Sequence, residues 1–520
     1  MGRTPADSRV GNPEMRNSAP YERPTNLDLS FQPRLKVTIV IPARGNQEKV
    51  DLTLAALALQ SYPHRLTRTI VIDDASEPRL VLPKLRPKNS ELMRFEGKSG
   101  VWGKTRAINQ VASAIKSDVI WFLDSDMVTD PDHLAHHMKW HHHSSEYIVL
   151  GWKRFVGEWK YNSDNLTKKL TEGAFASLHQ ESFPHEYFES RVKATKDLRN
   201  PGLDGFRTLV GATFSMRTTT WRELGGYNEA FTTGEDTELG WRALMHGFTL
   251  VPEPAAKSWH LGLTTFNANS ETMFSHNNPN LANWIPELRH LRTNREVAGP
   301  LWQVPDQHLI IDCRNIKLEQ FNSRIQKFIR KGGQSSLTLL ADWKSLDQRY
   351  SPLNDVVKEL RAIRDWYQGD PRIEFAQVSA EKVLTIEEIL NYCPIGSIPY
   401  SYFCEPGIDE DLDFSMLKTE LTKKGFGLVG TVDDFGYRAF AVFTPALARA
   451  HRHDAKHLYS GIDQLWGVRW ESIERIKKND ERKIAQMKSL ATYSLIRISK
   501  IRSAKDLKSL VRRAFALVRG

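Results

Sequence analysis

Residues 119–128, VIWFLDSDMV, run apolar for five positions and then deliver two carboxylates one residue apart. The apolar run reads as a buried strand. Strand side chains repeat every two residues, so Asp124 and Asp126 leave its end on the same side. Like charges that close repel unless a positive group sits beside them. Two carboxylates so placed suit a hard divalent cation such as Mg²⁺ or Mn²⁺. The plain alternative is a turn carrying two solvated aspartates.

The strand-then-acid pattern recurs upstream. KVTIVIPAR (36–44) is a β-branched run stopped by proline, and RTIVIDDAS (68–76) again ends in acids. Between them lies an amphipathic segment with Val50, Leu52, Leu54, Leu57 and Leu59. A glycine-punctuated loop, KSGVWGK, and a helical stretch, TRAINQVASAIKS, lead into 119–128. Strands alternating with helices argue for βαβ units and a largely parallel sheet. Ligands of such sheets bind beyond the C-terminal strand ends, where both acidic clusters fall.

A chain of 520 residues exceeds one ordinary core, so at least two domains are expected. Hydrophobic and charged contents of 40% and 26% are those of a soluble globular protein. No apolar run reaches the roughly eighteen residues of a membrane span. Residues 1–26 are polar and proline-rich without a signal peptide's apolar core, which makes the cytoplasm the default address. Cys313, Cys393 and Cys404 have no metal spacing and cannot build a disulfide framework. The net charge of +10 suggests acidic partners, but from Arg482 onward eleven Lys/Arg face Asp506 alone, so much of it belongs to the tail. No nucleic-acid-binding motif accompanies the charge.

Seven pieces stand in order: IPARGN (41–46), VIDDAS (71–76), GKTRAINQ (103–110), FLDSD (122–126), GGYNEAF (225–231), GEDTELGWR (234–242) and a terminal WH (259–260). Together they resemble the family 2 glycosyltransferases of the GT-A fold. The resemblance implies an α/β fold whose Rossmann-like, mostly parallel N-terminal domain transfers a sugar, with inversion, from a nucleotide sugar, UDP-linked, to a hydroxyl of a glycan or lipid-linked acceptor in surface polysaccharide assembly. It implies that Asp124, Asp126 and His260 hold a Mn²⁺ or Mg²⁺ ion on the diphosphate, neutral His260 favouring Mn²⁺. It implies that Asp236 is the general base and Glu235 its neighbour on a sugar. Around the nucleotide it places Pro42, Arg44, Asp73, Asp74, Lys104, Arg106 and Asp124. Ala43-Arg44 replaces the family's usual Thr-Tyr and removes a stacking tyrosine, which loosens the identity of the base. Gly-Glu-Asp also reads as a helix start with acids in its first turn, and both readings hold together because a helix N-terminus keeps Asp236 ionised. A retaining transferase and a catalytically silent glycan-binding or scaffold subunit are the competing readings.

The expected organisation is a flexible segment over 1–34, the GT-A catalytic domain over 35–265, a linker with helix over 266–306, a second α/β domain over 307–470 and a basic amphipathic helical tail over 471–520. Strand candidates in the second domain are LIIDC (309–313), SLTLLAD (336–342), RIEFAQVS (372–379) and FGLVGTVDD (426–434). Its late part faintly resembles that of a GT-A unit, which suggests a degenerate copy serving acceptor binding or assembly. The tail reads either as peripheral contact with anionic lipid at the inner membrane face or as packing on the second domain or another subunit of a homo-oligomer. HLAHHMKWHHH (133–143) carries i,i+4 histidine pairs that could bind zinc, although a packed or solvated face is the preferred reading. The tryptophans of GWKRFVGEWK (151–160) suit either sugar stacking or packing.

Overall fold

The computed structural model describes residues 21–96, 103–178, 182–262, 270–291, 302–329, 335–347, 354–405, 414–433, 436–454 and 456–472. The expected tail therefore lies outside the described residues from position 473 onward. Two sheets organise the chain. The first uses β1 (Val37–Ala43), β2 (Thr67–Asp74), β3 (Ser90–Phe95), β4 (Val119–Leu123), β5 (Met127–Thr129), β6 (Tyr147–Val156), β7 (Ser182–Pro184), β8 (Thr213–Arg217) and β9 (Thr249–Leu261). They run in the order β3-β2-β1-β4-β8-β6-β9-β5, with β7 paired to β6. From β3 to β4 all neighbours are parallel, and β8 enters antiparallel to β4.

The alternation of β1 and β4 shows why these runs are apolar at all positions but Thr38. Val37, Ile39, Ile41, Val119, Trp121 and Leu123 join one core, while Val40, Ile120 and Phe122 join the core on the opposite face. Both faces are covered, as a parallel sheet requires. Helix α1 (Gln47–Leu57) adds Val50, Leu54 and Leu57 to the first core, and α2 (Lys104–Ser113) adds Ala107, Ile108 and Val111 to the second. Because β2 and β4 flank β1 on opposite sides, the chain reverses its direction of travel there and opens a crevice at the strand ends.

Helices α3 (His133–His143), α4 (Ser163–Thr171), α5 (Glu186–Ala194), α6 (Thr218–Glu223), α7 (Glu235–Met245) and α8 (Ser270–Trp284) complete this half. Three of the six histidines of α3 are core residues. His133, His137 and His141 are fully buried, His133 stacks on Trp121, and their rings bond to Lys257 O, Thr213 Oγ1 and Ser215 Oγ at 2.7–2.9 Å. Burial pushes His133 and His141 down to about 3 and His137 also down, so the row stays neutral. Trp152 likewise packs, edge-on to Phe188.

The glycine of GEDTELGWR has a packing reason: a Cβ on Gly240 would strike the Phe206 carbonyl oxygen. Gly240→Ala should therefore push α7 off its seat, lowering stability by about 1–3 kcal/mol, read as a drop in denaturation midpoint. Unchanged stability would mean that Phe206 yields freely.

The second sheet uses β10 (Gln307–Asp312), β11 (Ser335–Ala341), β12 (Ile373–Gln377), β13 (Tyr400–Cys404), β14 (Leu428–Asp433), β15 (Gly436–Phe443) and β16 (Val468–Ser472). Its order, β12-β11-β10-β13-β15-β14-β16, repeats the path β3-β2-β1-β4-β8-β6-β9 strand for strand. The directions repeat as well: parallel through β13, then β15 antiparallel to β13 and β14, then β16 parallel to β14. Asp124 N donates to Ala212 O at 3.0 Å, and at the matching place Glu405 N donates to Arg438 O at 3.0 Å. There the Arg438 guanidinium donates to the Glu405 carboxylate at 2.9 Å.

Candidate active site

Strand β4 carries Asp124 to the sheet edge, and the short β5 turns back to pair antiparallel with β9, setting Met127 opposite His260. This pairing closes the sequence gap. One ligand atom each from Asp124, Asp126 and His260 lie within 4.8 Å of one another, the one such group among the described residues. His260 Nε2 is 3.6 Å from Asp126 Oδ1. Its Nδ1 lies 3.1 Å from the Gly262 carbonyl, which only an N–H can satisfy, so the proton is assigned to Nδ1 and Nε2 keeps its lone pair. Burial holds the imidazole below its ordinary value against the pull of Asp126, so the pair is a neutral ring facing a carboxylate and not an ion pair. A neutral imidazole and two carboxylates form a donor set that fits Mn²⁺ or Mg²⁺.

Lysines answer the repulsion between the aspartates. Lys49 Nζ sits 3.4 Å from Asp126 Oδ2 and donates to Leu261 O. Lys104 Nζ lies 3.3 Å from Asp124 Oδ1 and 3.4 Å from Glu235 Oε1. Burial pulls the Lys104 amine down, but the carboxylates of Asp124 and Glu235 hold it well above its ordinary value. Glu235 is itself buried, and desolvation outweighs Lys104 to push its carboxyl up to about 7.

The sign of that shift makes a prediction. A carboxyl raised in the folded state binds its proton more tightly there than in the unfolded chain. Stability then falls as pH rises from about 4.5 to about 7. Glu235→Gln should remove the fall. Its midpoint should match wild type near pH 4.5 and exceed it above pH 7.5 by the equivalent of roughly 2–4 kcal/mol. Parallel melting curves for the two proteins across that range would disprove it.

At the start of α7, Asp236 Oδ2 accepts from Gly211 N at 2.9 Å and Oδ1 accepts from Thr237 N at 2.7 Å. Two backbone N–H groups thus fix where the carboxylate sits at the helix start. Residues of α8 cover the turn before α7, with Thr233 Oγ1 bonded to the Asn277 side chain at 2.6 Å.

The nucleotide residues separate. Asp73 spends its carboxylate internally on Ser76 N (2.9 Å), Leu80 N (3.3 Å) and Arg94 Nη1 (2.8 Å). Asp74 accepts from Gly103 N at 2.9 Å through Oδ2 and stands 3.8 Å from Arg44, but its buried Oδ1 has no partner among the described residues. Asp74 is thus the aspartate with an acceptor to offer a ligand, at the end of β2 and beside Arg44 and Pro42 on β1. Arg106, two residues from Lys104, lies on the opposite side of α2 and pairs with Glu229 at 3.7 Å, away from the cluster. Lys49 and Lys153 of the site were not anticipated from sequence. Lys49 follows IPARGN closely enough to have been suspected, whereas Lys153 is one cation in a strand of mixed polarity.

Residues 33–276 match the model described as glycosyltransferase like family 2. A probable glycosyltransferase of Bacillus subtilis (strain 168), YdaM, is 26% identical over 234 residues, covering 43% of this chain and 50% of that protein. The chain thus spans about half the length of that curated relative. A Pyrobaculum calidifontis mannosyltransferase solved with GDP-Man and Mn²⁺ aligns at 15% identity and a TM-score of 0.33, over 51% of this chain and 66% of that one. Staphylococcus aureus TarS (residues 1–349) with UDP-GlcNAc aligns at 17% identity and a TM-score of 0.31, over 44% and 59%. Residues 33–276 are a family 2-like glycosyltransferase domain.

Proposed function

We propose that the chain is a metal-dependent, inverting glycosyltransferase that moves a sugar from a UDP-sugar to a hydroxyl of a glycan or lipid-linked acceptor in surface polysaccharide assembly. The observation that carries this reading is the meeting of Asp124, Asp126 and His260 at the crevice, with Asp236 held by Gly211 beside Lys104. A divalent ion held by Asp124, Asp126 and His260 would supply Lewis-acid stabilisation of the charge that develops on a departing diphosphate. The protein's own groups do the rest. Asp74 accepts from the base or ribose through its unpaired Oδ1, with Pro42 and Arg44 alongside. Lys104 adds a fixed positive charge next to Asp124. Asp236, held in place by its two backbone donors, takes the acceptor hydroxyl's proton as that oxygen attacks the anomeric carbon from the face opposite the leaving group. Glu235 orients a sugar hydroxyl.

The second domain we read as a silent copy of the first that serves acceptor binding or assembly, because Arg438 neutralises the carboxylate standing where Asp124 stands in the active copy. Among the described residues no helix is long and apolar enough to cross a membrane. The proposed place of action is the cytoplasmic side, with the basic tail as a peripheral contact. Turnover of a panel of nucleotide sugars with and without Mn²⁺, with the product anomer read by NMR, tests the proposal. Absence of metal-dependent turnover with every donor would overturn the enzyme reading, and retention of configuration would overturn inversion.

A further inference from the structure

The row of residues paired across the sheet with His260 leads out of the site. Met127 on β5 pairs with His260 on β9, His260 with Phe155 on β6, and Phe155 with Phe183 on the short strand β7. Residues paired on neighbouring strands point to one face of a sheet. Phe155 and Phe183 therefore share the face from which His260 reaches Asp126. The ring contacts agree, since Phe155 lies 5.0 Å from the His260 ring. Lys153, two residues earlier on β6, sets its ammonium 5.2 Å from the Phe155 ring on that same face. Phe183 stands two strand spacings from His260, about 10 Å.

Phe155 is buried, whereas Phe183 is 59% exposed. A single exposed ring is ordinary on a protein surface. What distinguishes Phe183 is its place in the row of His260 and the groups that follow it. His185 stands edge-on to Phe155 at 5.4 Å and lies 6.2 Å from the ring of Tyr187, itself 41% exposed. The Arg191 guanidinium packs 3.9 Å from the centre of the Tyr187 ring, and Arg207 Nε donates to the Tyr187 hydroxyl at 3.1 Å. Both arginines also pair with Asp204. Exposed rings followed by held guanidiniums and a carboxylate match a pyranose, which has CH groups on its faces and hydroxyls around its edge. Two exposed rings fall far short of the roughly 1,000 Å² that a stable protein partner needs.

The row also has a direction. Its β5 end rests on α1, where Met127 N donates to Thr53 Oγ1 at 3.1 Å, and α1 starts at Gln47, just after Arg44. Phe183 is at the other end, with His260 between. A ligand on Phe183 thus lies on the side of His260 away from α1. An acceptor whose hydroxyl attacks opposite the diphosphate extends in that direction.

We infer that Phe183, flanked by Tyr187, is a stacking platform for the second sugar of the acceptor, counted from the sugar that receives the transferred residue. The inference rests on the transferase reading, and it makes the acceptor an oligosaccharide and not a single sugar.

The test uses the full chain with Mn²⁺ and UDP, titrated by ligand-observed NMR with glucose and cellobiose, N-acetylglucosamine and chitobiose, mannose and mannobiose, and galactose and lactose. Wild type should bind at least one disaccharide about tenfold more tightly than its parent sugar, the gain expected from covering one aromatic side chain. Phe183→Ala should abolish that gain, whereas Phe183→Trp should retain it. Affinity for UDP with Mn²⁺ should stay within about twofold in Phe183→Ala, which also reports that the variant is folded. No gain with any pair in wild type, or a gain that survives Phe183→Ala, would overturn the platform. A tenfold loss of UDP affinity in Phe183→Ala would assign the ring to the donor and overturn it too. If wild type binds no UDP with Mn²⁺, the donor reading fails separately, whatever the sugars do.

Discussion

Asp236→Asn is expected to slow sugar transfer about a hundred- to ten-thousandfold while leaving the affinity for UDP and Mn²⁺ within about twofold. The substitution keeps the size of the side chain and an oxygen that can still accept from Gly211 N, so α7 should hold its place. What disappears is the capacity to take a proton. Single-turnover transfer at saturating donor, set beside a UDP titration, separates the two effects. Full transfer by Asp236→Asn would move the base elsewhere, and Glu235, with a carboxyl titrating near 7 at the same helix start, would be next in line. A loss of UDP affinity equal to the loss in rate would instead mean that Asp236 organises the donor site.

Asp126→Ala should raise the dissociation constant for Mn²⁺ with UDP by more than about a hundredfold, beyond what loss of an outer-shell partner costs. Asp126 is the carboxylate nearest His260, and its removal leaves Nε2 with one remaining acidic neighbour in the cluster. It also strips Lys49 of its carboxylate. Repulsion between Lys49 and an incoming cation then adds to the lost ligand. Calorimetric titration of Mn²⁺ in the presence of UDP reads the effect. An unchanged constant would remove Asp126 from the ion's shell and with it the geometric basis of the metal assignment.

Much of this was legible from residues alone, for identifiable reasons. Strands β1, β2 and β4 each carry a run of β-branched or aromatic apolar residues buried on both faces and end abruptly in polar residues or proline, a pattern visible without any fold. The four strand candidates of the second domain correspond to β10, β11, β12 and β14, of which β12 is a half-exposed edge strand. Strand β13, YSYFC, escaped because tyrosines and a serine in an aromatic run do not declare which face is inside. The division of labour between Asp73 and Asp74 was hidden because Arg94, which occupies Asp73, comes from β3, a strand whose residues are mostly half-exposed. Arg106 matched a motif position but faces the other side of α2. Lys153 looks like any strand lysine until β6 is set between β8 and β9 and it is buried there. Strand ends were readable, in short, and what faces them from elsewhere was not.

The repeat also grips its twin. Trp241, midway along α7, donates its indole N–H to Ser397 O at 3.0 Å, and Arg449 donates to Gly247 O at 2.9 Å, just past the end of that helix. Arg452 adds a bond to His246 O at 2.8 Å. Helix α7 has 11 residues, about 16 Å of rigid rod, and Asp236 stands at its far end. The second half thus holds the helix that carries Asp236, the proposed base, at its other end. A tilt of a few degrees at Gly247 would swing the Asp236 carboxylate by an ångström or so, enough on general grounds to change transfer rates substantially. If Asp236 is the base, a shift of the second half against the first would reach the reaction through this one helix.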